Sequence, residues 1–349
     1  MLPGYTPSEL PEMLPSDVRE MLPEGMQAYF AGDSETADIG SPQNWLSVLV
    51  QIVRNTVTTQ WNSLCTLLGF LILLSAVNAW GKDVMNGRVG TVIRYLSVLC
   101  LGINVHSILK TAWTSLSDSL TSMTVFADSI LPVMGVLYAA DGQVACGTAA
   151  SGGFALAVSL LENVNAFVLF PVLQVCFAFT LLSGMCPELH LDGLSKTVRS
   201  IFTGLLTVIM SLLSLILSVQ TVLSRAADTM TLKTVKFAVS NMIPLVGGVL
   251  SDAAQTLAGG MGYVRTTVGA FGIAGIVLVV LPPLCSLIWY KIIFGISSAV
   301  GAAVGAEKES KFLDGCGEIV NFGIALLCAS AVLFILVFIL FVCTVSRAV

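Results

Sequence analysis

The sequence predicts an all-α, polytopic integral membrane protein, and two observations carry that prediction. Hydrophobic residues make up 56% of the chain and charged residues 11%, against soluble norms of about 45–50% and about 25%. The charges cluster, and the gaps between them match the roughly 20 apolar residues that a helix rising about 1.5 Å per residue needs to cross a bilayer. Five gaps are long enough, from Arg54 to Lys82, Glu162 to Glu188, Arg199 to Arg225, Arg265 to Lys291 and Glu318 to Arg347. A sixth stretch, Val89 to Leu109, is interrupted only by Arg94, whose long stem reaches an interface from near a helix end. About six full transmembrane helices are therefore expected.

Residues 1–44 differ from the polytopic domain over 45–349. They hold six prolines and eight acids against the single base Arg19, and read as an aqueous, extracytoplasmic acidic segment. The sequence Glu-Met-Leu-Pro recurs at Glu12–Pro15 and Glu20–Pro23, where each proline suits the first position of a short helix; a loosely ordered tail reads equally well. No base-led apolar run opens the chain, so no signal peptide is expected in these residues. Lys82, Arg88 and Arg94 follow the first span, which puts that loop in the cytoplasm and the N-terminus outside.

Three regions depart from simple spans. From Trp113, the apolar residues Leu116, Leu120, Met123 and Ala127 follow helical steps, with Ser115, Asp118, Ser119 and Ser122 elsewhere on the wheel. This is an amphipathic helix, suited to lying against headgroups or to lining water. Over 130–161, Asp141-Gly142, Gly147 and Ser151-Gly152-Gly153 divide two apolar pieces, giving either a re-entrant hairpin or a pair of spans with a short loop. Over 233–257, Pro244 and Gly247-Gly248 predict a broken or re-entrant helix. Arg225, Lys233 and Lys236 read either as interfacial anchors that snorkel to the membrane surface or, with Asn241, as groups that hold the broken helix against its neighbours, with Asp228 and Asp252 as partners for the bases.

Near the end, Gly301-x-x-x-Gly305 offers a close helix-packing site, and the charged residues between Glu307 and Glu318 read as a solvated connector. Glu162, flanked by Asn163 and Asn165, is the clearest intramembrane carboxylate. Such a group costs at least about 2.5 kcal/mol at a helix centre, which makes it a candidate for a pathway or packing role.

The residues hold little material for catalysis. Two histidines, no HExxH, no GxSxG and no phosphate loop are present, so no enzyme, catalytic residue, metal or cofactor is expected. Cys186, Glu188, His190 and Asp192 alternate but sit in a turn-rich helix–helix loop rather than a metal site. Most of the nine cysteines fall inside apolar stretches, where they act as small hydrophobes. The net charge of −5 and the lack of any Lys/Arg run argue against nucleic-acid binding, which calls for a basic patch.

At the broken helix, Thr234-x-Lys236-Phe237, Asn241-x-Ile243-Pro244-x-Val246-Gly247 and Asp252-Ala253 resemble the signature stretch of the stage III sporulation protein AE family. The order of spans from about Trp45 onward resembles that family too. Its members usually begin with a signal sequence, which is not expected in these residues and was either removed or never present, and the Leu-Pro repeats are a further departure. The resemblance implies a subunit of the stage III A complex in the mother-cell membrane around the forespore. Together with stage II sporulation protein Q, the sister proteins are thought to form a channel or secretion-like conduit; an assembly of several copies of this chain is a further option. It carries over no catalytic residues. The alternative reading of the residues is a self-sufficient secondary transporter for a small solute, built on Glu162 and the two broken segments.

Overall fold

The computed structural model describes residues 42–84, 88–140, 144–185, 193, 197–209, 211, 215 and 247–343. Among these the chain is helical throughout except for the short turn at 304–306. The helices are α1 (Pro42–Val84), α2 (Arg88–Ala140), α3 (Val144–Val164), α4 (Phe170–Met185), α5 (Thr197–Ile209), α6 (Gly247–Ala303) and α7 (Glu307–Cys343). A single turn of π-helix, Asn165–Leu169, joins α3 to α4. The acidic segment falls outside the described residues up to position 41, and so do Cys186–Asp192, Lys233, Lys236, Asn241 and Pro244.

Four helices among the described residues are long and apolar enough to cross a membrane: Leu46–Val77, Ser151–Thr180, Gly272–Ala303 and Glu307–Ile339. Many of their outward side chains are apolar, including Ile72, Leu73, Phe167, Ile292 and Val332. The expected span at 89–109 lies within α2, and the one at 199–225 is described only as far as α5 and two isolated positions.

Helices α6 and α7 form an antiparallel hairpin against which α1, α2, α3 and α4 pack. Helix α1 buries Ile52, Leu64, Leu67, Leu71 and Leu74, a spacing that keeps one stripe on the core. The central contacts are aromatic rings seated on glycines. A side chain at Gly272 would collide with Phe338, one at Gly275 with Phe126, and a methyl at Gly323 would come 2.8 Å from the Trp113 ring. Absence of a Cβ lets helices approach in lipid, where packing rather than water exclusion drives association.

Prolines inside the helices release carbonyls that need new donors. Pro283 in α6 has no N–H for the carbonyl of Val279. The buried Ser119 of α2 donates its hydroxyl to that oxygen at 3.4 Å. Pro171 follows the π turn, in which Phe170 N–H reaches back to Asn165 O. The wider turn gives room where a proline ring would press on the carbonyl four residues earlier.

Several expectations need correcting. Trp113–Asp128 is no separate surface helix; it is the middle of the 53-residue α2, with Leu116, Met123 and Phe126 buried in the core. Gly147 and Ser151-Gly152-Gly153 do not break the chain, because α3 runs through them. Their polar backbone has no better partner in lipid than the helix itself. Gly247-Gly248 lie at the start of the described part of α6, and the part of the expected broken helix before them, Pro244 included, lies outside the described residues. The charged stretch from Glu307 is the first part of α7, not a loop, and it buries Phe312, Leu313 and Cys316 on one face. Glu307 and Glu309 stand in its first turn, where the helix dipole favours acids.

Gly301 and Gly305 shape the α6–α7 turn rather than an interhelical crossing. Gly305 has φ +83° and open space around it. Ala306 N–H donates to Gly301 O at 2.8 Å and Gly305 N–H to Ala302 O at 3.2 Å, the paired bonds of a left-handed helix cap. Gly301 meets only Ser310 across this turn, at an ordinary 3.6 Å for an added methyl. Ser298 and Ser310 hydroxyls bond at 2.9 Å beside it.

Two glycine substitutions should therefore move stability in opposite directions. Gly275→Ala should destabilise the bundle by about 1–3 kcal/mol through overpacking against Phe126. Gly69→Ala, with nothing within 4 Å, should stabilise by up to about 1 kcal/mol through helix propensity. Thermal unfolding of the detergent-solubilised protein reads both.

Candidate functional site

Polar groups inside an apolar bundle are the places to seek function, since each must be satisfied by the protein itself. Two such places stand out. The first is at the π turn. Asn165 is 4% exposed, and its Nδ2 donates to Ser330 Oγ of α7 at 3.1 Å. Its Oδ1 has no donor among the described residues. The widened turn places Asn165 and Leu169 inward and leaves Phe167 78% exposed. A π turn inside a helix marks functional sites more often than chance.

The second lies about three turns along α7 toward the hairpin tip, counting 3.6 residues per turn. Arg199 of α5 forms an ion pair with Glu318 of α7 and donates from Nη2 to Thr180 Oγ1 of α4 at 3.3 Å. Thr180 itself donates to Cys176 O at 3.1 Å. Gly315 allows this approach, because a methyl there would stand 2.8 Å from Thr180 Cγ2. Phe202 and Phe322, with ring centroids 5.2 Å apart, continue the α5–α7 contact. One base thus ties three helices together. On α2, His106 stacks on Phe177 of α4 with centroids 5.8 Å apart and planes 18° from parallel.

The candidate residues read from sequence are not gathered into one site. Glu162 is exposed on α3 beside Asn163, whose Nδ2 donates to Ser159 O at 2.7 Å. Gly247 and Asp252 lie in the first two turns of α6, and the rest of that cluster is outside the described residues. Gly301 and Gly305 sit at the hairpin tip. Sequence reading treated Arg199 and Glu318 only as span limits, and missed Thr180 and Ser330. A threonine and a serine inside otherwise apolar runs carried the signal.

The Asn165–Ser330 bond gives a direct test. Ser330→Ala should destabilise by about 1–2 kcal/mol, because it strands a buried amide. Adding Asn165→Leu should return part of that loss, as removing both partners relieves the desolvation penalty. Unfolding midpoints of the single and double variants check this.

Comparison with known proteins agrees with the bundle's sequence pattern. The family model described as stage III sporulation protein AE matches residues 27–345. Stage III sporulation protein AE of Bacillus subtilis (strain 168) is 24% identical over 304 residues, covering 85% of this chain and 74% of that protein. No solved structure matches. The family match spans far more than half of the chain, and the chain belongs to the stage III sporulation protein AE family.

Proposed function

We propose that the chain is a membrane subunit of the stage III A sporulation complex, a channel or secretion-like conduit between mother cell and forespore that endospore development requires. Family membership is the observation that carries this reading. It is supported by four helices long enough to span a bilayer and by the apolar side chains they turn outward, since exposed apolar surface on this scale needs lipid or partner protein.

On this reading the protein works by assembly and not by catalysis. It resides in the mother-cell membrane surrounding the forespore, with its N-terminus outside the cytoplasm. Its partners are the other stage III A proteins and, through them, stage II sporulation protein Q.

In-frame deletion of the gene in its spore-forming host should arrest development after engulfment, and the intact gene supplied in trans should restore heat-resistant spores. Spore counts equal to the parent strain would contradict the proposal.

A further inference from the structure

Helix α6 carries a single charged residue within its span Gly272–Ala303, Lys291. At 1.5 Å per residue it stands about 5 Å from the middle of that span. Its side chain is exposed and shares the outward side of α6 with Ile288, Ile292 and Ile296. Lys291 forms no ion pair among the described residues. Snorkelling serves bases near helix ends; a base this deep pairs with another group or faces water.

The α6–α7 hairpin brings an acid and an amide to the same level. The Ser298 and Ser310 hydroxyls bond at 2.9 Å, a methyl at Gly317 would stand 3.7 Å from Phe294 Cβ, and Phe338 covers Gly272. Carried along the two antiparallel helices, this register sets Lys291 level with residues 317–320 of α7, so Glu318 and Asn321 lie within one turn of its depth. Both are exposed, and Glu318 keeps 58% of its side chain exposed while paired with Arg199. Asn321 makes no hydrogen bond through its side chain among the described residues.

The three groups also share one side of the hairpin. At about 100° per residue, the order around α7 runs from Gly317 against α6, through Asn321 and Glu318, to Phe322 against α5. Around α6, Lys291 comes next to Phe294 and Ser298, which face α7, on the side away from Gly275 and Val279, which face α2. Lys291 and Glu318 are thus the two lips of one outward groove, and Asn321 lies between them.

Such a groove is complementary to itself. A two-fold axis along the membrane normal keeps every residue at its own depth, and through this groove it sets Lys291 against Glu318 of a second copy. The reciprocal contact follows from the symmetry, as an isologous interface requires. Asn321 then meets its own equivalent, and asparagine amides bond across helices in lipid. Gly295, one turn along α6, is exposed with nothing within 4 Å of an added methyl, and Ala325, one turn along α7, is exposed too; neither holds a second copy away. With the span centred in roughly 30 Å of hydrocarbon, the nearer headgroups lie about 10 Å beyond Lys291, too far for a lipid phosphate to serve as its partner.

We infer that two copies of this chain associate across the α6–α7 groove. Each Lys291 pairs with Glu318 of the other copy, Arg199 supports that carboxylate from behind, and the two Asn321 amides bond at the axis. The inference rests on the membrane-subunit reading above in placing the groove in lipid.

Disulfide trapping tests it in the full-length chain with the exposed Cys65 replaced by alanine. Asn321→Cys places a thiol at the axis, and Phe167→Cys places one on the exposed π turn. Membranes from the spore-forming host are treated with a mild oxidant, and dimers are read as bands that a reductant removes. A dimer at position 321, with position 167 no higher than the parent chain, is the expected result. Adding Lys291→Glu to Asn321→Cys should remove most of that dimer, because acid then faces acid. Equal trapping at 321 and 167 would overturn the proposal as chance collision, and so would a 321 dimer that Lys291→Glu leaves unchanged. No dimer at 321 in a variant that still yields spores would overturn it as well. The parent chain gives a second measurement: in lipid nanodiscs it should weigh twice its 36.8 kDa, and one copy per disc would overturn the proposal whatever the variants do. Failure of the parent chain to complement the deletion would count against the sporulation role alone.

Discussion

Hydrocarbon offers a polypeptide no hydrogen-bond partner, and that constraint shapes this bundle wherever a helix is disturbed. The carbonyl of Val279, freed by Pro283, is met by the hydroxyl of Ser119 from α2. The π turn before Pro171 keeps its own backbone bonded through Phe170 N–H and Asn165 O, and the amide it turns inward finds Ser330 on α7. Glycines 147, 152 and 153, which in water would weaken a helix, stay helical in α3. The same constraint makes buried polar contacts informative, and α2 supplies one of them to α6 through Ser119.

Helix α2 is the element on which the rest is organised. It touches α1, α3, α4, α6 and α7, and its Trp113 and Phe126 fill spaces opened by glycines of α7 and α6. Loss of either space would push α2 outward and take Ser119 from the Val279 carbonyl. Packing and polar satisfaction are therefore coupled at one crossing. The hairpin turn at Gly305 and the Arg199–Glu318 pair act farther out, fixing the approach of α7 to α6, α5 and α4.

The apolar runs were legible in the sequence because bilayer thickness imposes a length that a single segment reveals by itself. Partnerships were not. Gly301 and Gly305 match a packing motif, yet the rings seat on Gly272, Gly275 and Gly323, and only the arrangement of distant helices decides which glycine meets a ring. Arg199 and Glu318 are separated by more than a hundred residues and looked like two span limits. The stretch from Glu307 was misread on charge alone, although its charges at 307, 311, 314 and 318 already followed helical steps, with Phe312, Leu313 and Cys316 between them. Glu162 stands exposed on α3, while Trp113 to Asp128, read as a separate helix, is the middle of α2.

The central claim is that α2 crosses the middle of the membrane bundle, seated on α6 and α7 through Phe126 and Trp113. Electron cryomicroscopy of the protein in lipid nanodiscs tests it most directly. The account predicts unbroken density for α2 from Arg88 to Ala140, with Trp113 to Phe126 between α6 and α7 at the centre of the lipid disc. A helix beginning near Trp113 and lying flat at the headgroups, detached from Gly275 and Gly323, would contradict it.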